Sequence, residues 1–188
     1  PAIFLTFCAW AYTRQRFGLW ITLGIAMGAM GDYSLSSAER SWFLAGVASF
    51  LIGHVAYSIA FGKDLRRTRV REIIIAATLL IMAILLAAVS IRMARTGEYG
   101  LIPPVGIYGV VMGVMMAITV LHQSPTKFIA AGGVIFVISD AHIAVNHMLL
   151  EQSWPVLGIS GYVTYYLAQY LLVAGAAHES RLSGYKQE

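Results

Sequence analysis

The chain is 188 residues long, 59% hydrophobic and only 12% charged, with a mean hydropathy of +0.72. So much apolar side chain excludes a disordered chain, and a single cysteine, Cys8, excludes a secreted disulfide scaffold. The net charge of +4 does not mark a nucleic-acid binder, because the cations sit in short loops between apolar runs, where Lys and Arg set membrane topology.

In chain order, the apolar runs predict seven helices, at 1–13, 17–34, 42–62, 72–93, 101–121, 126–149 and 154–178. Stretches 41–62, 73–91, 99–126 and 152–178 contain no Asp, Glu, Lys or Arg. Each reaches the ~18 residues expected of a spanning helix. Residues 17–34 and 128–150 match them except for one aspartate each. The breakers fall between these runs: Arg14 to Arg16, Ser36-Ser37, the cluster from Lys63 to Arg71, Gly97, Ser124-Pro125 and Pro155. Pro103-Pro104 suits the first turn of a helix. The expected fold is all-α, a single polytopic transmembrane helix bundle over residues 1–188, with short loops and no soluble domain. Residues 1–13 make only about 20 Å of helix and lack the basic start of a cleavable signal peptide. A further helix is expected ahead of Pro1, eight in all.

Orientation follows from the cations. The 14–16 loop, the 63–71 loop, Lys127 and the C-terminal tail carry ten of the thirteen Lys and Arg; Arg40, Arg92 and Arg95 lie on the other side. The C-terminus and the 63–71 loop are therefore expected to face the cytoplasm, in an integral protein of the bacterial inner membrane.

Two charges fall inside spans, Asp32 and Asp140. A carboxylate at mid-bilayer costs about 2.5–3.5 kcal/mol on insertion scales, so such groups face a bundle interior or a wet cavity. Both are expected about 20 Å from the inner surface, at 1.5 Å per residue, and so able to meet across one cavity. They read as a catalytic or proton-carrying pair.

Gly24, Gly28 and Asp32 share a helix face, with Gly31 beside them, which suits close helix approach. His54 lies mid-span, on a stripe with Gly46, Phe50 and Tyr57, and needs a partner there. Gly133, Phe136, Asp140 and His147 form one stripe, and His142 and Asn146 lie nearly opposite. Tyr162, Tyr166 and Gln169 share a face near the C-terminus, with Tyr165 and Tyr170 close by. Tyr108, Met112, Met115, Met116 and Thr119 offer either an acyl-chain groove or ordinary core. No zinc signature, GxSxG, Walker A or dinucleotide fingerprint is present. The Gly-x-Gly-Asp pattern of membrane aspartyl proteases is not matched by Gly28-Ala29-Met30-Gly31-Asp32. No metal or other cofactor is expected.

Gly31-Asp32-Tyr33-Ser34-Leu35, the run from Phe43 to Tyr57, Ser139-Asp140 with Ala144 and Asn146, and Tyr165-Tyr166-Leu167-Ala168-Gln169 resemble, in order and spacing, the YhhN family. That family includes the transmembrane lysoplasmalogenases of animals. The resemblance implies hydrolysis of the vinyl-ether bond of a lysophospholipid substrate, within membrane lipid, to a fatty aldehyde and a glycerophospho-ethanolamine or -choline. It places the family's motif aspartates on Asp32 and Asp140. Around them, His54, Tyr57, Tyr108, Asn146, Tyr162, Tyr166 and Gln169 are expected to bind substrate or support the site.

Vinyl ethers hydrolyse by protonation at the β-carbon, so the chemistry wants one protonated carboxyl and one carboxylate. Two carboxyls sharing a low-dielectric cavity divide those states between them. Which of the two is the acid is not set by the sequence; Asp140, flanked by Phe136 and Ile143, is the drier candidate. The alternative is a transporter that uses the same two acids as proton carriers; the inverted repeats that would favour it are not evident.

Overall fold

The computed structural model describes residues 18–37, 39–150 and 152–184. Six α-helices make up these residues: α1 (Gly18–Leu35), α2 (Arg40–Phe61), α3 (Arg69–Arg95), α4 (Ile102–Leu121), α5 (Phe128–Ala144) and α6 (Pro155–Gly184). A 3-10 turn at Tyr99–Leu101 leads into α4, and a π turn at Val145–Leu149 ends α5. Among the described residues there is no strand, only an isolated bridge between Leu65 and His122. The expected count of seven helices is thus corrected to six among the described residues; the helix expected at 1–13 lies outside them. All but α1 are long and apolar enough to cross a membrane. In α1, Asp32 and four glycines dilute the hydropathy of 18 residues.

Local chemistry sets the ends. The Thr68 hydroxyl accepts from the Arg71 amide and caps α3, with Glu72 in the first turn and Arg92 and Arg95 in the last, all favourable to the helix dipole. α3 closes on Gly97 at φ 80°, where glycine avoids the left-handed penalty, and Glu98 N reaches back to Met93 O at 2.8 Å. Pro103-Pro104 open α4 as expected. α6 runs past its expected end at 178 because nothing from Ala176 to Leu182 breaks a helix.

α1 packs along α2, α5 along α6, and α4 touches α2, α3 and α5. These five helices, without α3, feed one core around Ile21, Tyr57, Met115, Phe136 and Leu172, all fully buried. Glycine permits the closest approach: a Cβ on Gly31 would lie 2.6 Å from the Phe50 ring. α3 differs. It buries only Val89 and Met93 and turns Leu80, Ile81 and Ile84 outward, as a lipid-facing helix does. It stands at the side of the bundle, leaving space between itself and the core.

Candidate functional site

That space is a cavity of about 1120 Å³. Its wall has three levels. At one end stand Arg40, Arg92, Glu98 and His147, where α1, α3 and α5 finish and α2 and α4 begin. Below them come Asp32, Tyr108, Asp140, Tyr162 and Tyr165. Deeper still the wall is apolar, with Leu79, Met82, Leu86, Met112, Val114 and Ala117. From Tyr108 to Ala117 the helix rises about 14 Å, and from Leu79 to Arg92 about 20 Å. The cavity is therefore a shaft with a charged rim, an acidic and phenolic waist, and an apolar floor.

The two aspartates come to this waist from different helices and have different partners. Asp140 Oδ2 accepts the Tyr108 hydroxyl. Tyr108 Oη also meets His54 Nε2 at 3.2 Å. A phenol has one proton, and here it goes to Asp140, so Nε2 is the donor to the phenol oxygen. His54 is fully buried, its ring edge-on to Phe136 at 4.9 Å, and its Nδ1 has no partner among the described residues. Asp32 Oδ2 accepts the Tyr166 hydroxyl at 3.3 Å. Each carboxyl is thus held through one oxygen by a tyrosine, and among the described residues its other oxygen carries no such bond.

Behind the waist, Tyr57 donates to Gln169 Oε1, and Gln169 Nε2 donates to Tyr165 Oη at 3.0 Å. All three are buried. Gly28 makes room for this group, since a Cβ there would strike the Tyr165 hydroxyl. Tyr57, Gln169 and His54 therefore support the wall rather than line it. Tyr162 lines the cavity while 60% exposed. Asn146 stands apart: its Oδ1 accepts the Trp154 amide at 2.6 Å and ties the turn before α6. The π turn that carries it inserts an extra residue per turn, a device often found beside functional sites, and His147 on the same turn lines the rim. The methionines divide: Met112 lines the cavity, while Met115 and Met116 are core.

The sequence does not mark several other polar groups as site residues. Tyr165 is adjacent to Tyr166 in a run of aromatics, and one residue's rotation separates their roles. Arg40 and Arg92 count only as topological charges in the sequence. Glu179, expected beyond the last helix, lies inside α6 and is 7% exposed. Its Oε2 meets His122 Nε2 at 3.0 Å. His122 Nδ1 faces the carbonyls of Phe61 and Lys63 at 3.0 and 2.9 Å. This group lies at the other end of the bundle, where Arg71 also donates to Leu121 O at 2.8 Å. Among the described residues, no three His, Cys, Asp or Glu side chains cluster so as to hold a metal.

The chain matches the YhhN family over residues 1–176. It is 26% identical, over 178 residues, to a lysoplasmalogenase of Mycobacterium bovis and to one of Mycobacterium tuberculosis, covering 93% of this chain and 66% of each relative. It is 30% identical over 169 residues to the human lysoplasmalogenase TMEM86A, covering 86% of this chain and 66% of the human protein. The chain thus spans slightly under two thirds of the length of these curated relatives. No solved structure matches it.

Proposed function

The chain belongs to the YhhN family, and from that premise we propose that it hydrolyses the vinyl-ether bond of a lysophospholipid, with Asp32 and Asp140 as an acid and anion pair. The observation that carries this reading is the level of the two carboxyls, which line one cavity between a charged rim and an apolar floor. A lysoplasmalogen has its vinyl ether at the junction of head and tail. A lipid seated with its head at the rim presents that bond at the waist.

Asp140 is the acid in this scheme. Tyr108 occupies Oδ2, which leaves Oδ1 to carry the proton to the β-carbon of the vinyl ether. The double bond takes up that proton, and the α-carbon becomes an oxocarbenium ion. Asp32, oriented by Tyr166, stabilises the cation and takes a proton from the water that adds to it. The hemiacetal then collapses: its hydroxyl proton passes to Asp140, Asp32 protonates the leaving glycerol oxygen, the C–O bond breaks, and aldehyde and glycerophospho-alcohol separate. The proton balance returns both carboxyls to their starting states. The extracytoplasmic side is where the charge count puts the rim, since Arg40 and Arg92 are two of the three cations assigned there.

The test is aldehyde release from a lysoplasmalogen by purified protein in detergent, with Asp32→Asn and Asp140→Asn beside wild type. An amide keeps the size and hydrogen-bonding capacity but supplies neither acid nor anion. Each variant should extract as a folded protein and lose activity by about 10²-fold or more, the usual worth of a positioned acid or base. Full activity in both variants overturns the mechanism. A wild type inert on every lysoplasmalogen overturns the function.

A further inference from the structure

The chemistry at the waist leaves the rim without a task. Arg92 and Arg95 both complement the dipole at the end of α3, but they differ in placement. Arg95 is exposed and does not line the cavity, whereas Arg92 is half-buried and does. Among the described residues no carboxylate lies within ion-pair distance of Arg92. Arg40 also lines the rim, and its Nη1 meets Glu98 Oε2 at 3.2 Å. That pair is exposed, at 57% and 47%, and so contributes little to stability and exchanges partners readily. Among the described residues lining it, the rim therefore offers two guanidinium groups and one carboxylate around the end of an apolar shaft.

We propose that Arg92 and Arg40 bind the phosphodiester of a zwitterionic lysophospholipid headgroup, with Glu98 taking its ammonium, so that the rim sets the depth at which the lipid's first tail bonds reach Asp32 and Asp140. This rests on the reading that the cavity takes a lysophospholipid. The planar fork of arginine matches phosphate oxygens in pairs. From Leu101 at the rim to Tyr108 at the waist α4 rises about 10 Å, close to the extended reach from a phosphate oxygen through glycerol to the β-carbon of the vinyl ether. The apolar floor below then receives the chain. Arg92 and Arg40 are positioning residues, since they touch the head and not the reacting carbons.

The experiment uses purified protein in detergent and four probes that are not hydrolysed. A saturated 1-alkyl lysophosphocholine has head and tail, a 1-alkyl lysophosphatidic acid has phosphate and tail, a 1-alkylglycerol has the tail alone, and glycerophosphocholine has the head alone. Binding is followed by calorimetry in wild type, Arg92→Gln and Glu98→Gln, and rates are measured on the vinyl-ether lysophosphocholine and on 1-alkenylglycerol. Arg92→Gln should weaken the alkyl lysophosphocholine about 10–100-fold, as loss of a charged hydrogen bond does, and leave alkylglycerol unchanged. Its KM should rise on the phospholipid with kcat retained, and Arg92→Lys should recover part of the loss. Should Arg92→Gln fail to fold, Glu98→Gln on the exposed rim decides the matter: it should remove any preference for phosphocholine over a 1-alkyl lysophosphatidic acid, which lacks the ammonium. Equal losses on head-bearing and headless ligands, or no loss on either, overturn the proposal. So does glycerophosphocholine binding as tightly as the lipid, which would make a soluble headgroup the ligand. A wild type that binds the phospholipid through Arg92 yet releases no aldehyde refutes the hydrolase reading and keeps the rim site. A wild type that cleaves both vinyl ethers equally, unaffected by Arg92→Gln, does the reverse.

Discussion

The Tyr108 hydroxyl of α4 donates to the Asp140 carboxyl of α5. It is also met from behind by His54 of α2, so three helices converge on one phenolic oxygen. The arrangement fixes which Asp140 oxygen faces the cavity. Tyr108→Phe keeps the ring and removes that constraint. In the hydrolase reading, kcat should fall about 10–100-fold with KM little changed, because an acid out of alignment costs rate rather than binding. The buried His54 Nε2 loses its acceptor too, at about 1–3 kcal/mol. Steady-state kinetics and a melting curve in detergent together check both parts. A KM effect alone would place Tyr108 in binding instead.

Among the described residues, His54 reaches Asp140 through Tyr108. His54→Gln should therefore be milder in kcat than either aspartate variant, since an amide can still donate to the phenol. His54→Leu should lower both stability and rate, because no donor remains for Tyr108. Loss of all activity in His54→Gln would show that the imidazole takes part in proton transfer.

A different pH dependence belongs to the opposite end of the bundle. Burial pulls the His122 imidazole down, but the hydrogen bond and charge of Glu179, with the carbonyls of Lys63 and Phe61, outweigh it and hold the ring above its ordinary 6.5. Both ring nitrogens face acceptors, which suits an imidazolium. Because the folded value is the higher one, the stabilisation is complete below about pH 6.5 and is lost as pH rises through the raised value. Melting temperature should therefore decline across that interval. Glu179→Gln should flatten the decline and lower stability at about pH 6 by about 1.5–3 kcal/mol, the worth of a charged hydrogen bond. A melting profile with the same slope in Glu179→Gln and wild type would sink the assignment.

Asn146 provides a test of binding against scaffolding. Its side chain holds the Trp154 amide, so Asn146→Ala should destabilise the turn by about 1 kcal/mol and, in the hydrolase reading, leave KM unchanged. A selective rise in KM would return Asn146 to the substrate site.

Topology is checked by reporter fusions. Sensors in the 63–71 loop and at the C-terminus should both read cytoplasmic, because ten of the thirteen cations fall in the segments the charge count assigns to that side. An external signal from either would move the charged rim to the cytoplasmic face.

The helices are legible in the sequence because uncharged runs of spanning length leave few alternatives. The two aspartates are legible because a charge in such a run is costly and stands out. The features that escape the sequence depend on packing between elements. Tyr165 and Tyr166 are neighbours along the chain, and only the fit against Gly28 turns Tyr165 toward Gln169 and leaves Tyr166 for Asp32. Glu179 is hidden because composition alone suggests an earlier end to the last helix. Its partner, His122, stands 57 residues away. Asn146 has the look of a polar lining group, but the π turn redirects it to a backbone amide. Arg92 is legible for its sign alone, since loop charges are informative about orientation whether or not they face a cavity.

In the hydrolase reading, the junction of charged rim and apolar floor also bears on the fate of the products. Cutting an amphiphile at the waist yields two pieces with opposite solvent preferences. The long-chain aldehyde keeps its partition into hydrocarbon, worth about 0.8 kcal/mol per methylene, and α3, with its outward leucines and isoleucines, is the wall it has to pass. The glycerophospho-alcohol loses its anchor and dissolves in the aqueous phase beyond Arg40. The fragments then diffuse in separate phases, where their recombination requires a re-encounter across the interface. In the hydrolase reading, turnover is made directional by where each product dissolves, and accumulation of one fragment in its own phase does little to hold back release of the other.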